Sequence, residues 1–202
     1  MKLARRGLIG LALALTLPVT AVAAPALVTA EDRVLGRADA PVTIIAYVSP
    51  TCGHCGQWAV TEFPTLRARY VDTGRARIVL REIMTAPPTL AMAATAIARC
   101  APANAYFDVM ASLFAGQAEL FRTGQASPWL LTAARVGGLD ETGVERCLED
   151  RPALERIQAR EAQAVTDGVQ STPTFYINGR RMPTHALSDF EAEMNRLAPQ
   201  GR

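Results

Sequence analysis

The stretch SPTCGHCGQWA, residues 49–59, sets two cysteines three positions apart with His54 between them, directly after the apolar run VTIIAYV. Cys52 and Cys55 in this spacing can form a redox dithiol, half of a metal site or a fixed structural disulfide. With a helix starting at Gly53, Cys52 stands at the helix N-terminus, where free backbone N–H groups and the helix dipole favour the thiolate, the reactive form of the side chain. Cys55, one turn along and shielded, can attack a mixed disulfide formed at Cys52 and resolve it. His54 offers a nearby proton donor or positive charge that stabilises the thiolate further, and a stabilised reduced state makes the disulfide a stronger oxidant. Such a short spacing at a helix start is a poor staple. Cys52, His54 and Cys55 together are soft ligands suited to copper(I) or zinc, as in a metal chaperone. A closed zinc site needs a fourth ligand, however, and neither a second Cys-x-x-Cys nor a His pair is present.

The elements that must hold this motif are legible in outline. The run at residues 42–48 has the apolar, β-branched character of a buried strand, and from Gly53 onward Trp58, Phe63, Leu66 and Tyr70 recur at helical spacing. Trp58 and Phe63 read as core or cleft wall, and Pro64 should bend or break the helix. A second strand is expected at residues 77–83, after the Thr73-Gly74 turn. Residues 89–166 read as Ala-rich helices punctuated at Cys100-Ala101-Pro102, Gly116, Ser127-Pro128, Gly137-Gly138 and Arg151-Pro152. Asp140 is the expected cap of the helix that carries Cys147. Arg156 and Arg160 read as part of a solvated helix face, and His185 as a surface loop residue. Residues 174–177 return to strand character, Asn178-Gly179 is a hairpin turn, and residues 180–182 start the return strand. A last helix is expected over residues 188–197, with Ser188 as cap and Glu191 completing a capping box. Without its helical middle the order is strand, helix, strand, then strand, strand, helix. The expectation is an α/β fold with an inserted helical subdomain at about residues 86–167.

The chain has 202 residues, enough for one large domain or a domain with an insertion, and shows no repeat, low-complexity tract or long linker. Residues 1–23 combine a basic start, an apolar stretch at residues 8–17 and an Ala-x-Ala end, the pattern of a cleaved secretory signal too short to span a bilayer. Cleavage is expected after Ala23, with Ala26 as the second choice; the Arg5-Arg6 pair leaves both general and twin-arginine export open. The expected mature unit is residues 24–202. Its loss of Lys2, Arg5 and Arg6 leaves 18 basic against 19 acidic residues, a net charge of −1, so no basic face for nucleic acid is implied. All four cysteines remain, and an exported chain meets an oxidising compartment.

The strings DRVLGRADAPVTIIAYVSPTCGHC and GVQSTPTFYINGRRM resemble the DsbA-like thiol-disulfide oxidoreductases of the bacterial periplasm, over essentially the whole mature chain. The resemblance implies a thioredoxin fold with a helical insertion and an exported oxidase that donates a disulfide to cysteines of unfolded secretory proteins. It implies no cofactor, since the dithiol carries the electrons, and reoxidation by a DsbB-like membrane quinone reductase. Isomerase and reductase remain the alternatives within the class, although isomerases of this kind carry an N-terminal dimerisation domain and only about ten residues lie here between the expected signal and Val34, which favours a monomer. Thr172-Pro173, by spacing alone a trans turn, becomes by resemblance a cis-proline loop facing the dithiol that presents the Thr172 backbone to a substrate peptide. The Thr172 hydroxyl either approaches the sulfur or is merely solvated. In an oxidising compartment Cys100 and Cys147, the two cysteines left over in the helical insertion, are expected to close a structural bridge, with two free buried thiols as the alternative. One departure stands out: six positions ahead of the first cysteine, where much of the family carries an acid, this chain has Ala46. It can neither repel a thiolate nor relay a proton to the shielded thiol.

Overall fold

Residues 28–197 are described by a computed structural model; the expected signal segment at residues 1–23 and both cleavage positions lie outside the described residues. At the centre is β2 (Val42–Val48), buried along its whole length. A strand with no exposed position must be covered on both faces, which is why its sequence is continuously apolar rather than alternating. It pairs in parallel with β3 (Ala76–Glu82) and antiparallel with β4 (Thr174–Ile177). β1 (Arg33–Leu35) and β5 (Arg180–Arg181) form the antiparallel edges, giving the order β1-β3-β2-β4-β5. Asn178 (φ 45°) and Gly179 (φ 82°) both take positive φ between β4 and β5, the backbone that a two-residue hairpin with the natural strand twist requires.

The two parallel strands are joined through α1 (Gly53–Thr61), α2 (Phe63–Leu66) and a π-helical turn at Arg67–Val71. The break falls where Pro64 requires it, with the proline in the first turn of α2, where its missing N–H leaves no bond unmade. The insertion is α3 (Pro88–Cys100), α4 (Tyr106–Ala115), α5 (Gln117–Thr123), α6 (Ala126–Val136), α7 (Glu141–Glu149) and α8 (Arg151–Thr166). Pro128 and Pro152 open helices rather than end them. Asp140 caps α7 by accepting from the Gly143 N–H at 2.7 Å, and Asp150 caps α8 by accepting from Ala153 at 3.0 Å. Cys100, exposed at the end of α3, is disulfide-bonded to Cys147, buried in α7, with Cα atoms 5.7 Å apart.

The strand alternation divides the interior. Val42, Ile44, Ala46 and Val48 join Cys55, Trp58, Phe175 and Phe190 in the main core, while Ile45 and Tyr47 join Val79, Tyr176 and Ala164 of α8 on the other side. That second face also carries charge. Asp32, its side chain wholly buried, accepts from Arg81 (2.8 Å) and Arg160 (3.1 Å), and Arg81 donates to the Tyr47 hydroxyl, which is itself hydrogen-bonded to Asp167. Burial works to raise the Asp32 carboxyl; the Arg81 hydrogen bond, the Thr29 N–H and the charges of both arginines outweigh it and hold the group below its ordinary value.

Three sequence expectations change here. Arg156 is exposed as expected, but Arg160 is turned inward onto Asp32, because a buried carboxylate demands a paired cation. The last helix, α9 (Leu187–Leu197), starts one residue before Ser188, with the Ala186 carbonyl accepting its first bonds, so Ser188 is no cap. Glu191 pairs with Arg69 instead of closing a capping box. The short edge strand β1 is an addition that the sequence did not announce.

Candidate active site

The dithiol stands where β2 hands over to α1. Cys52 is the residue before the helix, in extended conformation (φ −87°, ψ 116°), and its carbonyl accepts the first helical bond from Gly56 at 3.1 Å. The Cys52 sulfur therefore faces the unpaired amides of the first turn. It is half-buried, whereas Cys55 is fully buried beneath it among the main-core side chains and accepts from the Ser49 N–H at 3.5 Å.

The Thr172-Pro173 peptide bond is cis, and it brings residue 172 against Cys52, whose thiol donates to the Thr172 carbonyl at 3.4 Å. A second cis bond, Ala86-Pro87, lies between β3 and α3. The two cysteines differ sharply in acidity. Cys52 is pulled down to about 5, first by the hydrogen bond from Cys55, then, against the opposing effect of burial, by the side chain of Thr172 and by the backbone amides of Cys55 and His54. Cys55 is pushed far up by burial and by its neighbour Cys52. One sulfur is thus a thiolate at neutral pH while the other keeps its proton, the division of labour that a nucleophile and a resolving thiol need.

The His54 backbone faces the sulfur while its side chain is exposed, and among the described residues the imidazole has no hydrogen-bond partner. Trp58 is buried and stacks between Phe63 and Phe175, with ring centroids 5.3 and 4.8 Å away. His185 is an exposed loop residue. Ala46 lies in the same core as Cys55, fully buried and flanked on the neighbouring strands by Leu80 and Phe175, so no carboxylate occupies that position. Cys100 and Cys147 stand apart in the insertion. Among the described residues no group of three or more His, Cys, Asp or Glu is placed to hold a metal ion, and no helix is long and apolar enough to cross a membrane.

Two sets of polar residues escape a reading of the sequence. Ser49, Thr51 and Thr85 form a hydroxyl cluster behind the dithiol: Thr85 donates to the Ser49 hydroxyl at 2.8 Å, and the Thr51 and Thr85 hydroxyls lie 2.9 Å apart. Gln117, the first residue of α5, reaches from the insertion to donate to the carbonyls of Pro50 (2.7 Å) and Cys52 (3.1 Å). Small hydroxyl residues near the motif hint at the first set. Nothing local marks Gln117, which is 65 residues from Cys52.

Comparison with known proteins agrees with this architecture. The chain is 26% identical over 175 residues to a protein-disulfide oxidoreductase candidate of Rickettsia bellii, covering 85% of this chain and 66% of that one. It spans 60–66% of the length of the curated rickettsial relatives it matches. Among solved structures it is similar to alpha-DsbA1 of Wolbachia pipientis (TM-score 0.77, 22% identity, 85% of this chain and 93% of that one) and to oxidised BdbD of Bacillus subtilis (TM-score 0.75, 18% identity, 84% and 94%). At these identities the structural likeness speaks for the thioredoxin fold with its helical insertion. The family model described as thioredoxin matches residues 28–195, nearly the whole described chain, and on that match the chain belongs to the thioredoxin family.

Proposed function

We propose that this chain is a thiol-disulfide oxidoreductase of the DsbA-like kind, working as an oxidase that passes the Cys52–Cys55 disulfide to cysteine pairs of reduced, unfolded secretory proteins. The observation that carries the reading is the asymmetry of the dithiol: Cys52 half-exposed at a helix start with its acidity raised, Cys55 buried beneath it and protonated. In the forward direction a substrate thiolate attacks the Cys52 sulfur, the Cys52–Cys55 bond breaks, and Cys55 leaves with the electron pair and takes up a proton. A second substrate thiolate then attacks the substrate sulfur of the mixed disulfide and expels Cys52 as a thiolate. The substrate loses two electrons and gains a disulfide; the protein ends as the dithiol. A leaving thiol of low pKa departs faster, and a stabilised Cys52 thiolate draws the equilibrium toward substrate oxidation.

In this reading Thr172 and Pro173 form the surface over which the substrate backbone lies, His54 lends positive charge when protonated, and the Cys100–Cys147 bridge is structural. No cofactor takes part. Residues 1–23 direct export to the periplasm, the mature chain of residues 24–202 acts as a monomer, and a DsbB-like membrane quinone reductase restores its disulfide. Equilibration of the purified protein with reduced and oxidised glutathione tests the oxidase reading. Strong oxidants of this chemistry sit near about −120 mV and reductases near about −270 mV. A midpoint in the upper half of that span is expected; one at the reductase end would overturn the oxidase assignment.

A further inference from the structure

A single glutamine joins the helical insertion to the dithiol. Gln117 is buried, and both hydrogens of its side-chain amide are spent on the loop that leads into α1, at the carbonyls of Pro50 and Cys52. The second carbonyl is the one that also accepts the Gly56 N–H, so Gln117 grips the peptide unit that sets where α1 begins. Its oxygen end fills the space where Gly56 lacks a side chain. A Cβ at Gly56 would lie 2.0 Å from Gln117 Oε1 and 2.6 Å from its Cδ. Glycine is a poor helix residue, so its presence inside α1, one place after Cys55, has a steric reason: it admits the amide from α5. Four residues further along the same helix, the exposed Phe121 ring comes within 3.8 Å of the Cβ position of Gly53. The insertion thus lies across the dithiol loop at two points.

We infer that Gln117 is a positioning residue for the dithiol, and that Gln117 and Gly56 work as a matched pair holding residues 50–52 so that the Cys52 sulfur meets the first-turn amides of α1. The inference rests on the reading of Cys52 as the nucleophile. Charge–dipole stabilisation at a helix start falls off within the first turn, so a loosened loop weakens it. Neither residue touches the reacting sulfur in this account.

The experiment compares the full mature protein with Gln117→Ala, Gly56→Ala and the double variant, following thiolate absorbance in the ultraviolet against pH. Gln117→Ala is expected to raise the Cys52 midpoint by about half to one unit, roughly three- to ten-fold less thiolate at a pH below the midpoint. Gly56→Ala keeps the glutamine but expels its amide, so it should give the same shift. In the double variant the shift should be no larger than in either single one, and alanine at position 56, no longer opposed, should raise the urea midpoint relative to Gln117→Ala alone. Should Gln117→Ala prove too unstable to titrate, Gln117→Met keeps the side-chain length without its donors and should show the same shift. An unmoved midpoint in the glutamine variants, or additive shifts in the double variant, would overturn the inference. The parent curve alone tests the nucleophile assignment, and the differences between curves test Gln117, so the two failures are distinguishable.

Discussion

In the proposed function, the two pairs of cysteines of one chain are put to opposite uses by their surroundings. Cys100 and Cys147 close a loop of 47 residues between α3 and α7, tying together two helices of the insertion that are far apart in the chain. Cys52 and Cys55 are one helical turn apart and close nothing that the helix does not already close. Their difference lies in solvation: one sulfur is presented to backbone amides, the other is sunk in the core. A disulfide constrains the chain more the longer the loop it closes, though only logarithmically, and it exchanges more readily where the environment tolerates its thiolate. By the first measure the insertion pair is the stabilising one. By the second, the motif pair is the reactive one.

Exchanging serine for sulfur should separate these uses most widely. Cys52→Ser is expected to abolish disulfide transfer to a reduced peptide carrying two cysteines. Joint replacement of Cys100 and Cys147 should leave that rate within about three-fold while lowering the unfolding free energy by about 2–4 kcal/mol, read from urea denaturation without reductant. Loss of transfer on removing the insertion pair, with stability unchanged, would break the comparison.

How much of this division is legible beforehand depends on whether the deciding partner is near in sequence. The motif itself marks Cys52 and Cys55, because a helix start, a dithiol and a preceding strand are all local. β2, the Asn178-Gly179 turn, the Pro64 break and the Asp140 cap are local in the same sense. Arg160 is the opposite case: on its own helix it sits among charged residues and reads as solvated, and it is turned inward by the buried carboxylates of Asp32, 128 residues away, and Glu82. Gln117 has no signature in its own helix, since its partners are carbonyls, which every residue has. Ser188 and Glu191 have the right letters for a cap, but Arg69 from the turn after α2 takes the glutamate. β1 has three residues and depends on pairing with β3, so its own composition says little.

A pH experiment sharpens the comparison at an intermediate size of effect. In the folded dithiol form Cys52 titrates near 5, against about 8.5 for an unfolded cysteine, so between these values the unfolded chain binds more protons and stability rises with pH. The gain is complete above the unfolded value and is lost as pH falls through about 5. Cys55, shifted upward, works in the other direction only above about 8.5. The oxidised protein has neither thiol and serves as the internal reference. The melting temperature of the reduced form relative to the oxidised one should therefore climb between pH 4 and pH 8. A difference that stays flat over this range would mean that Cys52 ionises no more easily in the fold than out of it, and the contrast between the two pairs would reduce to loop length.

The smallest effect is expected at His54, the residue that the motif makes most conspicuous. Its backbone amide is among the groups that stabilise the Cys52 sulfur, and His54→Ala keeps that amide. Only the imidazole is lost, and it is exposed, with no hydrogen bond holding it over the sulfur among the described residues. A charge so placed acts through water and is screened by salt. The Cys52 midpoint should accordingly rise by a few tenths of a unit, less than for Gln117→Ala, and most of that rise should vanish when the titration is repeated in about 1 M salt, where the screening length is about 3 Å. A salt-independent rise of more than one unit would show instead that the imidazole packs against Cys52, and the source of the motif's acidity would move from the helix backbone to the histidine side chain.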